Sequence, residues 1–250
     1  MRTIILGSGS KGNSTLLIGE NHKLLIDVGF SYPKMVKLLG EFNIVPSDID
    51  AILITHTHKD HVGGLASFIK KNKIPVYTNE MMFASLSEII EEDTIRVCDD
   101  VYSLWEFNIE VIHTSHDAIG SVGFIVKEND SSLVYVTDTG YINKMYLERL
   151  KNKNVYIFES NHDINMLMTG PYPYILKQRV ISDKGHLSNE LAGEYLKEII
   201  GDKTKKVILA HLSETNNTHE IALKTVSNIL NCDITLDAAY QDKTMDIGEF

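Results

Sequence analysis

Short apolar runs dominate the first third of the chain. "RTIILG", "STLLIG" and "KLLIDVG" have the length and alternation of strands, and the turn-like "ENH" joins the last two into a hairpin. A helical period first shows at "PKMVKLLGEF"; "DAILIT" then reads as a buried strand, and "VGGLASFIKKN" and "NEMMFASLSEII" as helices. Strands follow around "TIRVC", "FNIEVIHT", "VGFIVK" and "SLVYVTD", then a helix over "INKMYLERLKN". The last third runs from strand "VYIFES" through a mixed loop to helix "NELAGEYLKEII", strand "KVILAH", helix "HEIALKTVSNIL" and a closing strand pair. Strands in runs with helices between them predict an α+β fold, two sheets packed face to face with helices outside. No tandem repeat, low-complexity tract or Pro-rich linker divides the chain, so residues 1–250 read as one layered domain.

Composition narrows this picture. No apolar run approaches the roughly 20 residues of a membrane span, and the N-terminal "TIIL" is too short for a signal peptide, which predicts a cytoplasmic protein without a membrane partner. Cys98 and Cys232 stand far apart and show neither a disulfide framework nor a cysteine-based zinc spacing. The net charge of -10 counts against general affinity for nucleic acid. Bound divalent cations and local basic patches can reverse that sign where it matters.

The candidate chemistry begins at "THTHKDHVGG", residues 55–64, where His56, His58, Asp60 and His61 fall within six positions just after an apolar strand. Polar groups this dense are costly to bury without a shared partner, and a metal ion is the usual one. His116, Asp138 and His211 each sit at or just past the end of a predicted strand, and strand ends on one side of a sheet converge. The seven suffice for two cations if Asp138 bridges them, the arrangement that recurs in metal-dependent hydrolases. His113 competes with His116, being at the end of the same strand; Asp138 also reads as a turn start with Thr139 and Gly140, and His211 as a strand cap. The early "GSGSKG" matches the dinucleotide-binding fingerprint, but a hairpin follows where that motif needs a helix. It reads instead as a tight polar loop in which Ser8, Ser10 and Asn13 pack the site or touch substrate. Asp27, in "LIDVG", is placed to orient the histidine turn from behind.

Together "HTHKDH", the later histidine, the aspartate after an apolar strand and the final "AHLS" resemble the metallo-β-lactamase superfamily. More narrowly, "GSGSKGNST", "TSHDA", "ESNHD" and "GHLSN" resemble its YycJ/WalJ group, over nearly the whole chain. The resemblance implies an αββα sandwich in which His56, His58 and His116 hold one metal, Asp60, His61 and His211 the other, and Asp138 bridges. It also likens His186 to the second histidine of RNase Z-like nucleases, paired with Glu159 to protonate the leaving oxygen.

The segment "YILKQRVISDKGHLSNE" bears on the substrate. Lys177, Arg179 and Lys184 outnumber Asp183 there, and the next helix, capped by Ser188 or Asn189, offers N-terminal amides of the kind that bind phosphate. Lys177, Arg179, Ser188 and Asn189 are therefore the candidate substrate contacts. The expected reaction is phosphodiester hydrolysis in which a hydroxide shared by the metals, oriented by Asp60, attacks phosphorus. His186, or in its place His162, donates the proton. The resemblance implies a 5′-to-3′ exonuclease on DNA, with zinc or manganese, or else iron, as the two divalent ions. RNA processing is the nearer alternative, weakened by the absence of the large inserted domain of RNase J-type enzymes. Hydrolysis of small thioesters, lactones or β-lactams is the more distant one, beside a metal-free binding module. The sequence carries no signal for oligomeric state.

Overall fold

The computed structural model describes all 250 residues. In chain order the strands are β1 (Arg2–Gly7), β2 (Ser14–Ile18), β3 (Lys23–Ile26), β4 (Ala51–Leu53), β5 (Val76–Thr78), β6 (Ile95–Val97), β7 (Val101–Leu104) and β8 (Phe107–His113). β9 (Val122–Glu128), β10 (Ser131–Val136), β11 (Val155–Glu159), β12 (Lys206–Ala210), β13 (Thr235–Ala238) and β14 (Met245–Glu249) follow. The helices are α1 (Tyr32–Gly40), α2 (Lys59–Val62), α3 (Leu65–Asn72), α4 (Glu80–Ser87), α5 (Lys144–Leu150), α6 (Ile164–Thr169), α7 (Tyr174–Val180), α8 (Asn189–Ile199) and α9 (His219–Leu230).

These elements build two seven-stranded sheets, ordered β14-β1-β2-β3-β4-β5-β6 and β13-β12-β11-β10-β9-β8-β7. Both are mixed. In the first, β14, β1, β2 and β3 pair antiparallel, and β3 to β6 run parallel. In the second, β7 pairs antiparallel with β8 and β9 with β10, while β10 to β13 are parallel. By contacts the chain forms two compact units: Met1–Val111 with Ala118–Val122 and Tyr240–Glu249, and Ile112–Asp117 with Gly123–Ala239 and Phe250.

The inner parallel strands β4, β11 and β12 are near-continuous apolar runs, as strands covered on both faces must be. In the second unit Val134 and Val136 of β10 and Tyr156 and Phe158 of β11 pack with Leu196 of α8 and Val226 of α9, all fully buried. Burial of each such side chain contributes about 1.5–3 kcal/mol. Several helices start where their sequences supply a cap: Asp163 accepts from Met166 N, Ser188 from Leu191 N and Thr218 from Ile221 N.

Three expectations need correction. The closing strands are not a pair, for β13 lies parallel to β12 at the edge of the second sheet while β14 lies antiparallel to β1 at the edge of the first. Strand character is local, but the partner is chosen by which sheet edge stands open. The mixed loop after β11 contains the helices α6 and α7, and the stretch Gly170–Pro171–Tyr172–Pro173 between them interrupts the helical period that would have revealed both. Finally, β5 and β7 have only three and four residues, too few to show a period.

Candidate metal centre

The histidine turn belongs to the first unit. β4 ends at Leu53, the chain bends at Thr55, and α2 carries Asp60 and His61. His56 and His61 are fully buried with ring centroids 4.0 Å apart, and His58 stands 4.7 Å from His56. Asp27, just past β3, braces the turn from below. Its carboxylate accepts from Thr55 N at 2.8 Å and from Thr55 Oγ1 and His61 Nδ1 at 2.7 Å each. A donating Nδ1 fixes the tautomer, so that His61 Nε2 carries a lone pair. Burial pushes the Asp27 carboxyl up, opposed by the charge and hydrogen bond of His61.

Asn13, in the glycine-rich loop, completes this cluster. Gly9 N donates to Asn13 Oδ1 at 2.8 Å, and Asn13 Nδ2 donates to Gly9 O at 3.1 Å, which sets the direction of the amide. The same Nδ2 stands 3.3 Å from Asp60 Oδ2 and 3.0 Å from His61 Nε2. The backbones must approach closely here: Asn13 N donates to Asp60 O, and Val28 N to His61 O, each at 2.8 Å. A Cβ on Gly29 would fall 1.8 Å from Asp60 O, so only glycine fits.

The second unit holds the other cluster. Ligand atoms of Asp138, Glu159, His186 and His211 all lie within 4.8 Å of one another. Asp138 Oδ1 stands 3.5 Å from His211 Nε2, 3.8 Å from His186 Nδ1 and 3.9 Å from His116 Nε2. It is thus His116 that neighbours Asp138, while His113 ends β8, half-buried. Burial lowers the pKa of His116. Glu159, at the end of β11 and fully buried, accepts from Asp138 N, Thr139 N and Leu187 N at 3.0–3.2 Å and from His186 Nδ1 at 2.7 Å. Burial alone would raise its pKa; the charge and hydrogen bond of His186 outweigh that and hold the carboxyl at about 2.

A shared backbone feature serves both clusters. Asp27 after β3, Asp138 after β10 and His211 after β12 take the left-handed conformation, with φ of 62°, 55° and 55°. Few non-glycine residues do so, and Asp and His are among those that tolerate it. The bend turns each side chain off the end of its strand.

The donor chemistry fits a divalent metal. Two donors each about 2.0–2.2 Å from a tetrahedral ion stand about 3.3–3.5 Å apart, longer than a good hydrogen bond. His61 Nε2 and Asp60 Oδ2 are 3.4 Å apart, and His211 Nε2 and Asp138 Oδ1 3.5 Å. Imidazole nitrogen with carboxylate oxygen is the ligand mixture that zinc, manganese and iron accept.

The proposed substrate contacts prove to be largely engaged. Arg179 of α7 pairs with Asp117, Nε and Nη2 each 2.6 Å from Oδ2, and Lys177 Nζ donates to Met168 O. Ser188 is the N-cap of α8, and Asn189 is fully buried, bonded to Ser160 and Asn217. Asn217 also donates to Ser160 O and Asn161 O, and Asn161 Nδ2 to His211 O, so a buried amide network braces the strand ends. Sequence reasoning missed Asn161, Asn217 and Asp117. The pairs "SN" and "NN" next to strand ends were the available signal.

Comparisons with known proteins identify the family. The Beta-lactamase superfamily domain matches residues 22–212. The chain is 38% identical over 239 residues to the exodeoxyribonuclease WalJ of Streptococcus pneumoniae serotype 2 (strain D39), covering 90% of this chain and 87% of that one. It is 36% identical over 231 residues to the exodeoxyribonuclease YycJ of Bacillus anthracis, covering 90% and 88%. The crystal structure of the metallo-β-lactamase fold protein YhfI from Bacillus subtilis superposes with a TM-score of 0.76 over 98% of this chain and 99% of that one, at 16% identity. The fold is therefore the metallo-β-lactamase fold. A histidine turn, carboxylates bent off strand ends and relatives matched over nine-tenths of the chain lead to one assignment: this chain belongs to the metallo-β-lactamase superfamily, in the family of WalJ and YycJ.

Proposed function

We propose that this chain is a metal-dependent 5′-to-3′ exodeoxyribonuclease, with residues 1–250 acting as one catalytic domain. By the resemblance, His56, His58 and His116 would hold one divalent cation and Asp60, His61 and His211 the other, with Asp138 contributing to both. Bound there, zinc, manganese or iron supplies Lewis acidity and an activated water. The side chains do the rest. Asp27 and Asn13 fix His61 and Asp60 in register. Asp60 would orient the attacking water, and ionised Glu159 holds His186 through Nδ1, placing its imidazolium form to give the Nε2 proton to the departing sugar oxygen.

The observation that carries the reading is the 2.7 Å bond between His186 Nδ1 and Glu159 Oε1 at the edge of the donor cluster. A sugar alkoxide is a poor leaving group and needs an acid, a step worth about 10²–10⁴-fold in rate; a thiolate departs without one. This supports a phosphodiester over a thioester. The choice of DNA is carried over from the two exodeoxyribonucleases. Purified protein given Mn²⁺ or Zn²⁺ should shorten 5′-phosphorylated duplex DNA from its 5′ end faster than matching RNA, nitrocefin or a glutathione thioester. Faster turnover of any of these three would overturn the proposal.

A further inference from the structure

The two most exposed large apolar side chains of the protein are neighbours. Ile175 is 83% exposed and Tyr174 71%, and both open α7, whose far end reaches the proposed acid. His186 N donates to Val180 O, and the next carbonyl back, Gly185 O, lies 3.2 Å from His116 Nδ1. At 1.5 Å rise per residue, Tyr174 is about 9 Å along the helix from that contact. Just before it, α6 exposes Ile164 and Met168, which at a spacing of four residues share one face, and Lys177 Nζ bonds Met168 O to tie the two helices together. The charge is distinctive too. Residues 171–187 carry Lys177, Arg179 and Lys184 against Asp183 alone, in a chain of net charge -10.

Apolar surface left open in a basic stretch, joined through the backbone to a catalytic histidine, has the character of a nucleic-acid ledge: flat side chains for the bases, ammonium groups for the phosphates. Resting on the nuclease reading above, we infer that Tyr174 stacks on a base of the DNA strand about two to three nucleotides from the scissile bond, at 3.4 Å per stacked nucleotide, with Ile175 packing against the same stretch of strand. Lys184, exposed beyond the end of α7, faces its phosphates. Arg179, held by Asp117, keeps α7 beside His116.

The test compares metal-loaded wild type with Tyr174→Ala/Ile175→Ala and with Tyr174→Trp. The substrates are a 5′-phosphorylated oligodeoxynucleotide, the same strand with abasic sites near its 5′ end, and the p-nitrophenyl ester of thymidine 5′-monophosphate. The double variant should raise KM for the oligonucleotide roughly ten- to hundredfold, the scale of losing base stacking, with a far smaller change on the ester. Tyr174→Trp should retain tight binding. Abasic sites should weaken wild type and leave the double variant indifferent. An unchanged KM in the double variant, or equal sensitivity of both proteins to abasic sites, would overturn the ledge while leaving the nuclease intact. A wild type that dimerises and a double variant that does not would likewise overturn it, assigning the surface to a second copy of the chain. Failure of wild type to bind or cut DNA would instead remove the nuclease reading and the ledge with it.

Discussion

At the scale of single residues, the site depends on side chains that bind nothing themselves. Asp27 never faces substrate, yet it sets which nitrogen of His61 carries the lone pair. Asp27→Asn should weaken metal binding about 10–100-fold, the usual cost of losing such a brace, measured by competition with a chromogenic chelator. His186 shows the opposite separation. His186→Ala should hold the wild-type metal content by elemental analysis while cleaving DNA about 10²–10⁴-fold more slowly; full activity would remove it from the mechanism. The positive φ of Asp138 and His211 adds a cost of order 1–3 kcal/mol each, which the packed ends of β10 and β12 sustain. These two residues stand out in the sequence as candidate ligands because an acidic or imidazole group ends an apolar run. Their bend does not, since a backbone angle follows from what packs on both sides.

At the scale of elements, the turn of the β2–β3 hairpin is fastened to the turn between β7 and β8. Glu106 accepts from Asn21 N, His22 N and His22 Nδ1 at 2.7–2.9 Å, and the His22 ring stacks on Trp105 with centroids 4.2 Å apart. Slight burial opposes the ionised form, but these hydrogen bonds hold the Glu106 carboxyl at about 2, well below its ordinary 4.5. A depressed folded pKa contributes stability above the unfolded value, lost as pH falls through the folded one. The stability difference between wild type and Glu106→Gln, from urea midpoints, should therefore be largest above about pH 4.5 and shrink as pH falls toward 2. A difference that grows toward acid would contradict the assignment. Close approach gives a second test at this scale. Gly29→Ala pushes a Cβ into Asp60 O, and should lower the thermal midpoint and the metal content together.

For the molecule as a whole, a net charge of -10 must accommodate a polyanionic substrate. Few lysines face it under the reading above, so binding should depend only modestly on salt. Lys184→Ala should reduce the slope of log affinity against log salt by about 1 without changing which end is cut. Chelation acts on the whole fold, because a ligand of the native state alone stabilises it by mass action. Protein stripped with EDTA should melt at a lower temperature and recover on adding Zn²⁺ or Mn²⁺.

Pattern alone determined much of this protein. The long helices, most strands and the seven candidate donor residues could be read from the chain because apolar period and residue type are local properties. "KVILAH" announces a buried strand with a candidate ligand at its end wherever that strand comes to lie. Other features belonged to the tertiary structure. β13 and β14 entered different sheets because pairing is settled by distant open edges, and α6 and α7 emerged where punctuating prolines hid the helical period. His116 rather than His113 came to neighbour Asp138, because a bond between its ring and Gly185 holds it there. The local code states what each residue can do; long-range packing, which alone decides which groups share a buried space, selected what they do together.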